Sequence, residues 1–140
     1  MARRRPRTTP TRPLVLIADD HEDTCAMYAL ALSASGFQVV AVTDGAEAFH
    51  RALEIAPDIV VTDLAMPNGD GWQLRQELKQ DARTRHLPVI AISGYVERSL
   101  RERAERDGFA AFFAKPCLPD ELAAGLRQVL AGKAHVHVER

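Results

Sequence analysis

Five residues at the ends of four short apolar runs could together handle a phosphoryl group. Asp19 and Asp20 follow LVLIA, Asp63 follows DIVVT, Ser93 follows PVIAI and Lys115 follows AAFFA. Adjacent carboxylates joined by a third from a distant run repel one another unless a cation lies between them. An all-oxygen set with few carboxylates suits magnesium, which keeps several waters and binds beside phosphate. Lys115 adds a mobile positive charge for one phosphoryl oxygen, and Ser93 a hydroxyl for another. Paired acids after a strand also serve as helix caps, so the reading depends on the serine and lysine at the other run ends.

For these groups to converge, the runs must be strands of a parallel sheet, in which ligands sit outside the carboxyl ends. The intervening sequence supplies the helices. Residues 14–18 read as a buried strand, and Ala26, Met27, Leu30, Ala31 and Ala34 recur at helical spacing from about Asp23 to Ser35, with Gly36 as the stop. Strand 37–42 precedes a helix capped by Thr43 or Asp44 that runs to about Ile55, where Pro57 follows. Strand 58–62, the turn-forming MPNGDG and a helix over 71–80 come next, with Trp72, Leu74 and Leu78 placed toward the sheet. Strand 88–92 leads into a highly charged helix over 96–107, in which Glu97 with Arg101 and Glu102 with Arg106 stand at i,i+4. Strand 110–114 and a last helix from Pro119 complete the pattern, with Leu122, Leu126, Val129 and Leu130 inward. Five alternating strands and helices imply right-handed crossovers and an α/β, doubly wound parallel sheet with helices on both faces.

The 140 residues, 46% hydrophobic and 26% charged, suffice for one core. Cys25 and Cys117 lie far apart and in no cluster, which reads as reduced thiols. Residues 1–12 contain Arg3, Arg4, Arg5, Arg7 and Arg12 and no apolar run, which predicts a disordered basic tail. Setting those five aside leaves 13 basic residues against 19 acidic ones, a charge of about −6 on the folded part. LVLIA is too short for a signal or membrane segment, so a cytoplasmic location is expected.

The sets IADD (17–20), VVTDLAMPNGDGW (60–72), VIAISG (89–94) and FFAKPC (112–117) resemble the receiver domain of bacterial response regulators. The resemblance implies a flavodoxin-like, five-stranded sheet of order 2-1-3-4-5. It implies Asp63 as phosphoacceptor, Asp20 and Asp63 as direct ligands of Mg2+, Asp19 acting through a water, and the Ala65 backbone carbonyl as the remaining protein ligand. Lys115 and Ser93 complete the site, and Ser93 with Phe112 forms the switch pair. Phe112 stands where tyrosine is common, so only the steric part of the switch is implied. Ala65 and Tyr95 flank the path of the hydrolytic water and tune lifetime. The Lys115 to Pro116 bond is cis by resemblance and trans by the ordinary preference of X-Pro bonds.

The function so implied is a phosphorylation-dependent signalling switch of a two-component or phosphorelay system. It is not an enzyme beyond its own Mg2+-dependent phosphorylation and dephosphorylation. Its partners are a histidine kinase or phosphotransfer protein and a downstream protein, met through helix 96–107, strand 110–114 and the last helix, a face that could also serve a homodimer. No DNA or membrane binding is expected. A phosphorylation-independent adaptor is the alternative. The expected organisation is a tail at 1–12, a receiver at 13–132 and a C-terminal tail at 133–140. His21 reads as a solvated histidine at a helix start, with modulation of the site as the alternative. His135 and His137 read as part of a frayed end, with a two-residue metal grip as the alternative.

Overall fold

The structure, a computed structural model, describes residues 12–66, 70–94 and 98–132 and the backbone of 136–138. Its strands are β1 (Leu14–Ala18), β2 (Gln38–Val42), β3 (Ile59–Asp63), β4 (Val89–Ser93), β5 (Ala111–Ala114) and β6 (Val136–Val138). The helices are α1 (Glu22–Ala34), α2 (Gly45–Ile55), α3 (Gly71–Gln80), α4 (Arg98–Arg106) and α5 (Pro119–Leu130). The first five strands stand in the order β2-β1-β3-β4-β5, all neighbours parallel, as expected of a doubly wound sheet. β6 adds a sixth strand, pairing parallel to β5 with Phe112 opposite His137, within the stretch read as a C-terminal tail.

Every residue of β3 and β4 is buried, as fits central strands covered on both faces. Alternation along the strands divides the core. Val15, Ile17, Ile59, Val61, Ile90, Ile92 and Phe113 face α1 and α5, while Leu16, Val60, Val89, Ala91 and Phe112 face α2, α3 and α4. Phe112 and Phe113 therefore both belong to the core, one in each layer.

Local chemistry explains the helix ends. Asp44, rather than Thr43, caps α2, its carboxylate accepting from the N–H groups of Ala46 and Glu47. Asp70 caps α3 through the Gln73 N–H, and Pro119 opens α5. Gly36 follows α1 at φ +100°, the left-handed conformation that suits glycine.

The buried face of α1 differs from the expectation. Cys25, Tyr28 and Leu32 are buried, whereas Met27 and Leu30 are 44% and 77% exposed. This helix carries apolar residues nearly all round, so spacing alone does not single out a face. Arg12, counted with the basic tail, donates to the carbonyls of Ser33 and Phe37, and Arg127 donates to that of Ser35. Ser33 and Ser35 stand at the C-terminal end of α1, where carbonyls run out of helical donors and a cation is favoured, and Phe37 lies just beyond it before β2. Trp72 is half-buried, edge-on to Phe109 and beneath the Arg103 guanidinium at 3.9 Å. Of the pairs expected on the charged helix, Glu97 lies outside the described residues and Glu102 and Arg106 are both exposed; the i,i+4 pair seen there is a different one, Arg103 with Asp107 at 3.7 Å.

Candidate functional site

Parallel strands ending at one edge bring the predicted residues together there. Asp19 follows β1, Asp63 ends β3, Ser93 ends β4 and Lys115 follows β5. Lys115 crosses back over the strand ends, so that its Nζ donates to Asp63 Oδ2 at 2.7 Å and to Asp19 Oδ2 at 3.1 Å. Its own backbone N–H donates to the Ser93 carbonyl at 2.8 Å, which ties the lysine to the end of β4. The Lys115 to Pro116 bond is cis. Burial works against the charged ammonium, but the hydrogen bonds and charges of Asp63 and Asp19 outweigh it and hold the Lys115 pKa above its ordinary value.

Asp19 is fastened from several sides. Its N–H donates to the Val42 carbonyl at 3.1 Å, its Oδ1 accepts the His21 N–H at 2.9 Å, and its carbonyl accepts the Cys25 thiol at 3.3 Å. Asp63 Oδ1 accepts the Ala65 N–H at 3.0 Å, and the buried Thr62 hydroxyl donates to the Asp63 carbonyl at 2.9 Å. Such tethers hold a carboxylate in one geometry, which positioning chemistry requires. Asp19, Asp63 and Ser93 are buried, while Asp20 is the half-exposed member of the acidic group. Asp19, Asp20, His21 and Asp63 each offer a ligand atom within 4.8 Å of the others. Three carboxylates at one strand edge form a hard, oxygen-rich donor set with more negative charge than Lys115 alone neutralises, so the residues fit Mg2+.

Two supports were not legible as site residues. A Cβ on Gly71 would stand 2.4 Å from the Asp63 carbonyl oxygen, so only glycine lets α3 start against the end of β3. Gly71 signalled itself only as part of a turn. Cys25 lies beneath Asp19, and burial together with the nearby Asp19 charge pushes its thiol pKa up to about 11. Both cysteines are buried thiols outside any disulfide. Phe112 is inside the core beside Ala91 of β4, two residue positions below the Ser93 to Ala114 pairing. Tyr95 lies outside the described residues, as does His135, and only the backbone of His137 is described.

Three carboxylates and a lysine gathered at the carboxyl edge of a 2-1-3-4-5 sheet define a class, and sequence comparison agrees. The response regulator receiver domain matches residues 15–127, and the chain belongs to that family. Among its relatives is the polar-differentiation response regulator DivK of Brucella anthropi, 31% identical over 102 residues that cover 73% of this chain and 83% of that one. Solved structures agree in fold. The chemotaxis response regulator CheY4 of Vibrio cholerae superposes with a TM-score of 0.80 at 23% identity, covering 85% of this chain and 99% of the other. A response regulator from Chloroflexus aurantiacus gives 0.81 at 27% identity, over 86% and 99%. Among the described residues no helix is long and apolar enough to cross a membrane.

Proposed function

We propose that this receiver domain is a phosphorylation-dependent switch: Asp63 accepts a phosphoryl group from a phosphohistidine on a histidine kinase or phosphotransfer protein, and the phosphorylated chain signals by protein contact in the cytoplasm. The observation that carries this reading is the Lys115 ammonium held between Asp63 and Asp19, at 2.7 and 3.1 Å, where charge on a transferred phosphoryl group would develop. In the transfer, an Asp63 carboxylate oxygen bonds to phosphorus as the bond to the donor imidazole nitrogen breaks. That nitrogen leaves with the bonding pair. Lys115 turns toward a phosphoryl oxygen as the Asp63 charge is spent, and Ser93 donates its hydroxyl to another. Asp19, Asp20 and Asp63, with the Ala65 carbonyl, would hold a Mg2+ ion, which supplies neutralisation of the phosphoryl charge.

Output runs through α4, β5 and α5. Ser93 and Phe112 sit on adjacent strands, so movement of the serine toward the phosphoryl group frees space that Phe112 and α4 can follow. A phosphorylation-independent adaptor would need none of this pocket chemistry. Exposure to acetyl phosphate and Mg2+ separates the two: mass spectrometry should find one hydroxylamine-sensitive phosphoryl group on the native chain and none on Asp63→Asn, with both folded by circular dichroism. Equal labelling of both chains would remove Asp63 from the role.

The phosphorylated state should be long-lived, because Ala65 offers no polar atom to orient water and Tyr95 is large enough to shade the phosphoryl group. Replacing them together, Ala65→Asn with Tyr95→Ala, should speed decay after removal of the donor about tenfold, equivalent to about 1.4 kcal/mol of barrier. An unchanged decay would exclude these positions from control of the water.

A further inference from the structure

His21 has no part in the chemistry above, yet its imidazole is aimed at the carboxylates. Nδ1 lies 3.2 Å from Asp19 Oδ1 and 3.2 Å from Asp20 Oδ1. His21 occupies the N-cap of α1 with extended backbone, the position at which a side chain ordinarily accepts from the first turn of the helix, and its ring makes no such bond. The ring turns instead over the strand end. It is 67% exposed, while the Asp19 carboxylate beneath it is 5% exposed, so the imidazole stands at the mouth of the pocket with the acids below.

Two neighbouring ligands of an octahedral ion, each at about 2.1 Å, stand about 3.0 Å apart. The two separations from Nδ1 meet that spacing, and the wider set with Asp63 stays within 4.8 Å. One nitrogen among carboxylate oxygens changes which ion the set favours: Mg2+ prefers oxygen throughout, whereas imidazole suits borderline first-row ions such as Co2+, Ni2+ and Zn2+.

We propose that His21 is a further ligand of the divalent-cation site and makes this chain's pocket prefer borderline first-row ions over a purely carboxylate pocket. The proposal rests on the reading of Asp19, Asp20 and Asp63 as the ion site. Its footing in the sequence is short, an imidazole directly after two aspartates at a helix start, which leaves the ring free to fold back on them.

The test uses the unphosphorylated full chain with Co2+ and Mg2+ as probes, titrated by calorimetry. His21→Ala should weaken Co2+ binding about tenfold or more while leaving Mg2+ within about twofold. Mn2+ bound to the native chain should show nitrogen coupling in pulsed electron paramagnetic resonance that His21→Ala loses. His50, His86, His135 and His137 are elsewhere in the chain, so a nitrogen signal that survives His21→Ala comes from them and overturns the proposal. Equal loss of Co2+ and Mg2+, or of neither, also overturns it. Asp20→Ala keeps the two readings apart: it should weaken both ions, and if both still bind as before, the acidic ion site itself is misassigned. Loss of both in Asp20→Ala with no selective effect in His21→Ala leaves the ion site in place and removes His21 from it.

Discussion

α4 and α5 cover opposite faces of β5, and they are held in very different ways. α5 buries Leu122, Ala123, Gly125, Leu126 and Val129 against the sheet. Its approach is so close that a Cβ on Gly125 would stand 2.3 Å from the Phe113 ring. α4 buries Ala104 alone, and its other positions are mostly charged and at least partly exposed. Each fully buried Leu or Val contributes about 1.5–3 kcal/mol, so α5 is anchored by several such terms and α4 by a single methyl group and partly covered neighbours. A switch needs an element that can move at small cost, and the strand between the two helices carries Phe112 toward α4 and Phe113 toward α5. The same strand is therefore rigid on one side and yielding on the other.

The largest effect expected from this contrast is on stability. Leu126→Ala should cost about 2–5 kcal/mol in urea unfolding, the usual range for a fully buried leucine. Leu100→Ala on α4, at a half-buried position, should cost no more than about 1.5 kcal/mol. Hydrogen exchange sharpens the same comparison, since amides of α4 should exchange well before those of α5. Equal costs and equal protection would break it.

A smaller effect should appear in binding. Charge reversal at exposed Arg98 or Arg106 should weaken a target or a second copy of the chain by several-fold without changing labelling of Asp63, as surface charges usually act. Arg101 is half-buried, so its reversal should also lower the melting temperature. Indifference of binding to Arg98 and Arg106 would place the output surface elsewhere.

An effect confined to alkaline pH distinguishes the α1 and α5 layer. Burial raises the folded pKa of Cys25 to about 11, above the ordinary thiol value, so the native state holds the proton where the unfolded chain releases it. Stability from this group is complete below about pH 8.5 and is lost as pH rises toward 11. Cys25→Val should flatten that part of the stability profile. Tyr28, donating to the Cys117 carbonyl at 2.7 Å, has its pKa raised to about 12 by burial first and by nearby charge, and it extends the same trend to higher pH.

The sequence by itself determined the alternation of strands and helices and placed Asp19, Asp63, Ser93 and Lys115 at strand ends. Those features follow from local rules: apolar runs bounded by turn residues, caps such as Asp44 and Pro119, and strand polarity imposed by short crossovers. Tertiary structure decided what depends on partners distant in the chain. Which face of α1 is buried was settled by the fit of Cys25, Tyr28 and Leu32 against the sheet and α5, because an almost uniformly apolar helix has no preferred face of its own. The span of Lys115 to both Asp19 and Asp63, the seat of Arg12 on the end of α1 and the pairing of β6 with β5 each join segments far apart in sequence. Periodicity and composition report on neighbours along the chain, and contacts of this kind are fixed only when packing brings the segments together.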